Sequence, residues 1–218
     1  MSRNGELVRV VVCDDHEVVA QGLAAVLGAE TDIEVVAIAS SVAMVLELAE
    51  RLRPDVVLMD YELPDGDGVT ATRALKAAHP EVQILMLTSY SDEQVLVSAV
   101  EAGCSGYLTK HDGSHAVANG VRLAASGEAM VTAAMLSKIL PRLTRTDHST
   151  RPTELTARER EVLELLADGL ATAAIAERLY LSVNTVRNHA QSILTKLGVH
   201  CRLEAVSVAV RAGLITRQ

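Results

Sequence analysis

Five short apolar runs rich in β-branched residues punctuate the first half of the chain: 8–13 (VRVVVC), 33–38 (IEVVAI), 55–60 (DVVLMD), 83–88 (QILMLT) and a weaker 105–109 (SGYLT). Runs of this length without polar alternation predict strands buried on both faces. Between and after them, segments with helical spacing cover roughly 16–27, 42–52, 69–79, 92–102 and 114–126. Strand and helix alternate five times. Such alternation predicts parallel strands joined by right-handed crossovers. The expected fold is α/β, a flavodoxin-like, doubly wound five-stranded sheet in the order 2-1-3-4-5.

The pattern changes after Gly127. Residues 132–140 predict one short helix, and the polar, Thr-rich PRLTRTDHSTRPTE that follows, with Pro141 and Pro152, reads as a linker. From Leu155 onward only helical spacing remains, near 157–168, 172–179, 183–197 and 202–212, with Gly169 and Gly198 as stops and Ser182 as an N-cap. The expected organisation is an α/β domain over 1–128, a linker with a short helix over 129–153, and an all-α four-helix domain over 154–218.

The chain of 218 residues is 49% hydrophobic and 22% charged, so each part can bury a core; with no Trp and no Phe that core must be aliphatic. A net charge of −8 taken alone argues against a nucleic-acid partner, but the charge is unevenly spread. Residues 1–150 hold 11 Lys+Arg against 21 Asp+Glu, whereas residues 151–218 hold 9 against 7, so the second part is weakly basic and permits DNA binding. Cys13, Cys104 and Cys201 are odd in number and widely spaced, which suggests core residues in a reducing cytosol and neither a disulfide framework nor a zinc site. No leader-like h-region and no apolar run of roughly 18 residues occurs, so a soluble, cytoplasmic protein with no membrane partner is expected.

In open parallel sheets ligands sit beyond the carboxyl ends of the strands, where strand order reverses. Asp14 and Asp15 end the first predicted strand and Asp60 the third, so three carboxylates converge there. That much negative charge calls for a hard cation, and carboxylates with room for water suit Mg²⁺. The plainer alternative is that Asp14 or Asp15 caps a helix and Asp60 begins a turn. Thr88 ends the fourth strand and Lys110 follows the fifth, which supplies a hydroxyl and an ammonium for a phosphorylated carboxylate. His16 and His111 flank the site and are assigned no role.

With these residues in place, 7 to about 126 resembles a response-regulator receiver domain. The resemblance implies that Asp60 is the phosphoryl acceptor, that Asp14, Asp15, Asp60 and the backbone carbonyl of Glu62 hold Mg²⁺ directly or through water, and that Lys110 binds the phosphate. It also implies a switch in which Thr88 moves toward the phosphoryl group and Tyr107 turns inward. Asp-Gly-Asp-Gly at 65–68 matches the flexible loop after the acceptor, while His111 stands where the family often has proline.

In the second part, LTARERE at 155–161 predicts a capping box of Thr156 and Glu159. ATAAIAERL, YLS and VNTVRNHAQSILTKL then have helix-turn-helix spacing, with Ala173, Ala174 and Ala176 permitting close packing. Thr185, Arg187, Asn188, Gln191 and Ser192 fall on the outward face of the second helix, and Lys196 is grouped with them as a DNA contact. The same spacing fits a helical interaction module whose polar face is only solvated. Residues 155–215 resemble the LuxR/NarL-type DNA-binding domain through T-x-R-E-x-E-V-L, I-A-x-x-L, S-x-x-T-V-x-x-H and K-L-G. That resemblance implies that helix 183–197 enters the major groove of double-stranded DNA and that the last helix, through Val206, Val208 and Val210, pairs two copies.

The combined reading is a two-component transcription factor, not an enzyme: a sensor histidine kinase phosphorylates Asp60, and a homodimer binds DNA. Three rivals are weaker. A phosphorylation-independent scaffold leaves the acid, Thr and Lys set without a purpose. A metal-dependent phosphatase needs a second acid in a D-x-D-x-T arrangement, where this chain has Glu62 and Pro64, and Pro64 likewise occupies a ligand position of an EF-hand loop.

Overall fold

The computed structural model describes residues 7–88, 93–110, 112–128, 155–199 and 201–215. The chain divides into two compact units, 1–130 and 131–218. The predicted helix 132–140 and the linker around it lie outside the described residues, as does His111.

In the first unit, strands β1 (Val8–Cys13), β2 (Ile33–Ala39), β3 (Val56–Asp60), β4 (Gln83–Thr88) and β5 (Gly106–Thr109) form one parallel sheet in the order β2-β1-β3-β4-β5. The crossovers are α1 (Glu17–Gly28), α2 (Val42–Leu52), α3 (Gly68–Ala78) and α4 (Glu93–Glu101), with α5 (Ser114–Ala125) closing the unit. Strand residues alternate between two buried faces. Val10, Val12, Val56, Leu58, Leu85, Leu87 and Leu108 pack with Ala20 and Leu27 of α1 and Val117, Ala118 and Val121 of α5. Their neighbours Val11, Val57, Met59, Ile84 and Met86 are equally buried on the opposite face, which explains why the runs carry no polar alternation.

The Asp-Gly-Asp-Gly segment departs from the flexible loop expected of it. Glu62–Leu63 and Gly66–Asp67 pair antiparallel, and Asp67 caps α3 by accepting from Thr70 N–H at 2.7 Å. Asp65 accepts from Val42 N–H at 2.7 Å and Ala43 N–H at 2.9 Å, two otherwise orphan donors in the first turn of α2. Those two bonds hold the Asp65 carboxyl below its ordinary pKa. Both acids therefore staple helix starts, which ties the loop down.

Gly68 is required by a close approach: an added Cβ would stand 2.2 Å from the carbonyl oxygen of Asp60. Backbone cannot yield as a side-chain tip can. Gly68→Ala is expected to cost about 3 kcal/mol of stability, read from urea unfolding by circular dichroism. An unchanged midpoint would mean that α3 does not press on β3 in solution.

The second unit contains α6 (Ala157–Ala167), α7 (Thr172–Arg178), α8 (Val183–Leu197) and α9 (Arg202–Arg211) around Val162, Leu163, Ile175, Val186, Ile193, Leu197, Val206 and Ala209. The Thr156/Glu159 capping box is formed, Ser182 accepts from Thr185 N–H, and Gly198 ends α8 at φ 66°. Of the three alanines expected to permit close packing, only Ala176 is buried; Ala173 and Ala174 are exposed. At about 100° per residue, the arc that brings Ile175 and Ala176 to the core turns the two preceding positions outward. No helix among the described residues is long and apolar enough to cross a membrane.

Candidate acidic site and nucleic-acid interface

The carboxyl ends of β1, β3, β4 and β5 bring together residues that are far apart in the chain. Asp14 and Asp60 are 2% and 4% exposed, while Asp15 faces solvent beside them. Lys110 Nζ lies 2.7 Å from Asp14 Oδ2 and 2.7 Å from Asp60 Oδ2. The second Asp60 oxygen, Oδ1, accepts from Tyr61 N–H at 2.8 Å, so both oxygens have fixed directions. Lys110 is located by its own backbone, whose N–H donates to Thr88 O at 2.8 Å, and by Asp112 Oδ2, which accepts from Thr109 N–H at 2.7 Å. Thr88 is buried one position beyond Leu87, the β4 residue paired with Asp60.

Burial is the largest influence on Asp60 and pushes its pKa up; the hydrogen bond from Lys110 opposes this, and the Asp14 charge adds to the rise. Lys110 shows the converse balance: burial disfavours its charge, but the bonds to Asp14 and Asp60 outweigh it and hold the ammonium above its ordinary value. Cys13 lies below the same acids. Burial first, then Asp14, Asp60, Asp65 and Asp15, push its thiol up to about 12, so it is an unreactive core group. All three cysteines are buried thiols outside any disulfide.

One ligand atom from each of Asp14, Asp15, His16 and Asp60 lies within 4.8 Å of the others. An oxygen-rich cluster open on the Asp15 side is compatible with a divalent cation that keeps some of its water. His16 Nδ1 stands 2.8 Å from Asp15 Oδ1 and the ring is largely exposed.

Tyr107 is 2% exposed, so its ring lies inside the fold. The aromatic pairs with Met86 across β4 and β5, within a face of the sheet that burial favours.

In the helical unit, Asn188 and Gln191 are exposed on α8 and Thr185 and Arg187 are half-buried. Ser192 and Lys196 are instead committed inside the domain. Ser192 Oγ donates to Glu159 Oε1 at 2.6 Å and Lys196 Nζ to Glu159 Oε2 at 2.7 Å. Spaced four residues apart, they share one face of α8, and that face looks at α6. Glu159 had only a capping role in the sequence. Here it also ties α6 to α8, and burial, which pushes its carboxyl up, is outweighed by Lys196, Ser192 and Thr156, leaving it at about 2. The acid at 159 and the Ser/Lys pair were visible, but not that they meet.

Val206 cannot serve a subunit contact, because it is 3% exposed and sits in its own domain's core. Val208 and Val210 are partly buried against that core and keep some exposed surface.

Residues 10–121 match the family model for the response regulator receiver domain, and residues 153–209 that for bacterial regulatory proteins of the luxR family. The transcriptional regulatory protein LiaR of Bacillus subtilis (strain 168) is 38% identical, over 96% of this chain and 100% of its own length. The DNA-binding transcriptional activator DevR/DosR of Mycobacterium tuberculosis is 35% identical, over 93% of this chain and 94% of its own. Among solved structures, the response regulator ChrA of a heme-sensing two-component system is 35% identical, covers 96% of this chain and 99% of its own, and superimposes with a TM-score of 0.53.

Proposed function

Because the chain belongs to the two-component response regulators that join a receiver domain to a LuxR-type DNA-binding domain, we propose that Asp60 is its phosphoryl acceptor and that phosphorylation controls DNA binding. The observation that carries this reading is Lys110 Nζ held 2.7 Å from both Asp14 and Asp60 at the carboxyl end of the sheet. A cation so placed can pass from the free carboxylate to a phosphoryl group on it.

In the proposed reaction a carboxylate oxygen of Asp60 attacks the phosphorus of a phosphohistidine on the sensor kinase. The new P–O bond forms as the P–N bond breaks, and the electron pair leaves with the imidazole nitrogen. Tyr61 N–H and Lys110 aim the attacking carboxylate before the reaction. Lys110 then neutralises charge on the transferred group, and the Thr88 hydroxyl donates to one of its oxygens. Asp14, Asp15, Asp60 and the Glu62 carbonyl are the groups that would hold Mg²⁺, which supplies charge neutralisation on the phosphoryl oxygens when bound.

On the DNA side, Thr185, Arg187, Asn188 and Gln191 are the proposed contacts of α8 in the major groove of duplex DNA, with Ser192 and Lys196 holding that helix in place. A homodimer on DNA would use the exposed parts of Val208 and Val210, and the protein would act in the cytoplasm. The test is retention on genomic DNA fragments with and without acetyl phosphate and Mg²⁺. Binding is expected to rise with the phosphodonor, whereas Thr88→Ala is expected to take up phosphate and lose most of the rise. Equal retention by the wild type with and without the donor removes the switch. An undiminished response in Thr88→Ala removes Thr88 from it.

A further inference from the structure

Among the described residues, two other than glycine have backbone φ in the left-handed region: Arg53 at 46° and Tyr180 at 53°. This conformation is unfavourable for a residue carrying a Cβ, so what each side chain does in return is informative. Arg53 is answered inside its own domain. Its Nη2 donates to Glu50 Oε1 at 2.8 Å and its Nη1 meets His79 Nδ1 at 2.9 Å.

Tyr180 has no such return. Its backbone helps to close α7, with its N–H donating to Glu177 O at 3.2 Å and the next N–H to Ala176 O at 2.8 Å. Glycine or asparagine would make that turn with less strain. The side chain is 96% exposed, more than any other large hydrophobic side chain among the described residues. In a chain with only four aromatic residues, one ring stands wholly in solvent on a backbone that disfavours it.

Its place gives it a use. Tyr180 lies in the turn between α7 and α8, two residues before the Ser182 cap, and is followed by the exposed Val183 and Asn184. The turn is anchored, because Arg158 Nη2 donates to Leu179 O at 2.6 Å. The ring is therefore presented from a fixed backbone at the leading end of the helix assigned to the groove.

We infer that Tyr180 is a DNA-backbone contact: its phenol O–H donates to a phosphate oxygen at the edge of the groove that α8 enters, while the ring packs on the adjacent deoxyribose. The inference rests on the proposed docking of α8. A neutral hydroxyl on phosphate adds affinity for every sequence alike and releases no counterion, so it should leave the salt dependence of binding unchanged.

The test uses the full chain with Mg²⁺ and acetyl phosphate, and a duplex that the wild type recovers from a random-sequence pool. Tyr180→Asn, which tolerates the left-handed turn, is expected to bind about tenfold more weakly and Tyr180→Phe about threefold, both with the wild-type salt slope. The thermal midpoint should be unchanged or higher for Tyr180→Asn. Arg187→Ala, measured alongside, is expected to weaken binding and lower the slope by about one. Wild-type affinity in Tyr180→Asn with weakened binding in Arg187→Ala overturns the inference and leaves the α8 reading standing. Wild-type affinity in both variants overturns both. A thermal midpoint that falls together with affinity in Tyr180→Asn makes the ring structural and also overturns the inference.

Discussion

An Asp60→Asn chain is expected to take up no phosphoryl group from acetyl phosphate, while folding as stably as the wild type or more so in metal-free buffer. The carboxylate is lost as nucleophile, and Asp14, the other acid held by Lys110, is one of the groups proposed to hold the cation and not the acceptor. The stability follows from the sign of its pKa shift. Burial and the Asp14 charge hold the folded-state value above that of the unfolded chain. Folding therefore favours the protonated form, so Asp60's contribution declines as pH rises through the ordinary carboxylate range to its folded value, and at neutral pH the ionised group is a cost. Asparagine removes one charge from the crevice and leaves Lys110 paired with Asp14. Intact mass with and without the donor reads the first effect, and urea unfolding with a chelator at neutral pH reads the second. A phosphorylated variant would move the acceptor elsewhere, and a large loss of stability would make Asp60 a structural acid.

Glu159→Ala is expected to destabilise the helical domain by about 3 kcal/mol, since it breaks a capping box and leaves a cation without its partner. The same carboxylate accepts from Thr156 N–H at 2.7 Å, Ser192 Oγ at 2.6 Å and Lys196 Nζ at 2.7 Å. Glu159→Gln keeps the shape and much of the cap, so it should cost about 1 kcal/mol. The pH dependence separates charge from shape. The folded value, at about 2, lies below the ordinary glutamate range, so the stabilisation is complete above that range and is lost as pH falls toward 2. Thermal unfolding of the full chain should show wild type and Glu159→Gln converging as the medium is acidified. A constant difference would mean that the ionised form has no special partner. Because Ser192 and Lys196 orient α8, DNA binding by Glu159→Ala should fall even where the domain remains folded.

Much of this protein was legible in its order of residues, and the reason is locality. The bounds of β1, α2, β4 and α8 agree to the residue with the apolar runs and helical spacing, because a strand buried on both faces admits no polar interruption. The Thr156 and Ser182 caps, three residues from their partners, were equally plain. Asp14, Asp60, Thr88 and Lys110 could be assigned to one crevice because parallel topology puts every strand's carboxyl end on the same rim.

What only the tertiary structure decided is the direction of individual side chains. Glu159 meets Ser192 and Lys196, 33 and 37 residues away, and Asp65 caps a helix that begins 23 residues before it. Val206 points into its own core, Tyr107 is buried, and Tyr180 stands in solvent on a strained turn. The positions of caps and buried strands follow from neighbours within one turn. The rotation of a helix about its axis is set by what it packs against, and that phase determines whether a polar residue such as Ser192 faces DNA or a buried carboxylate.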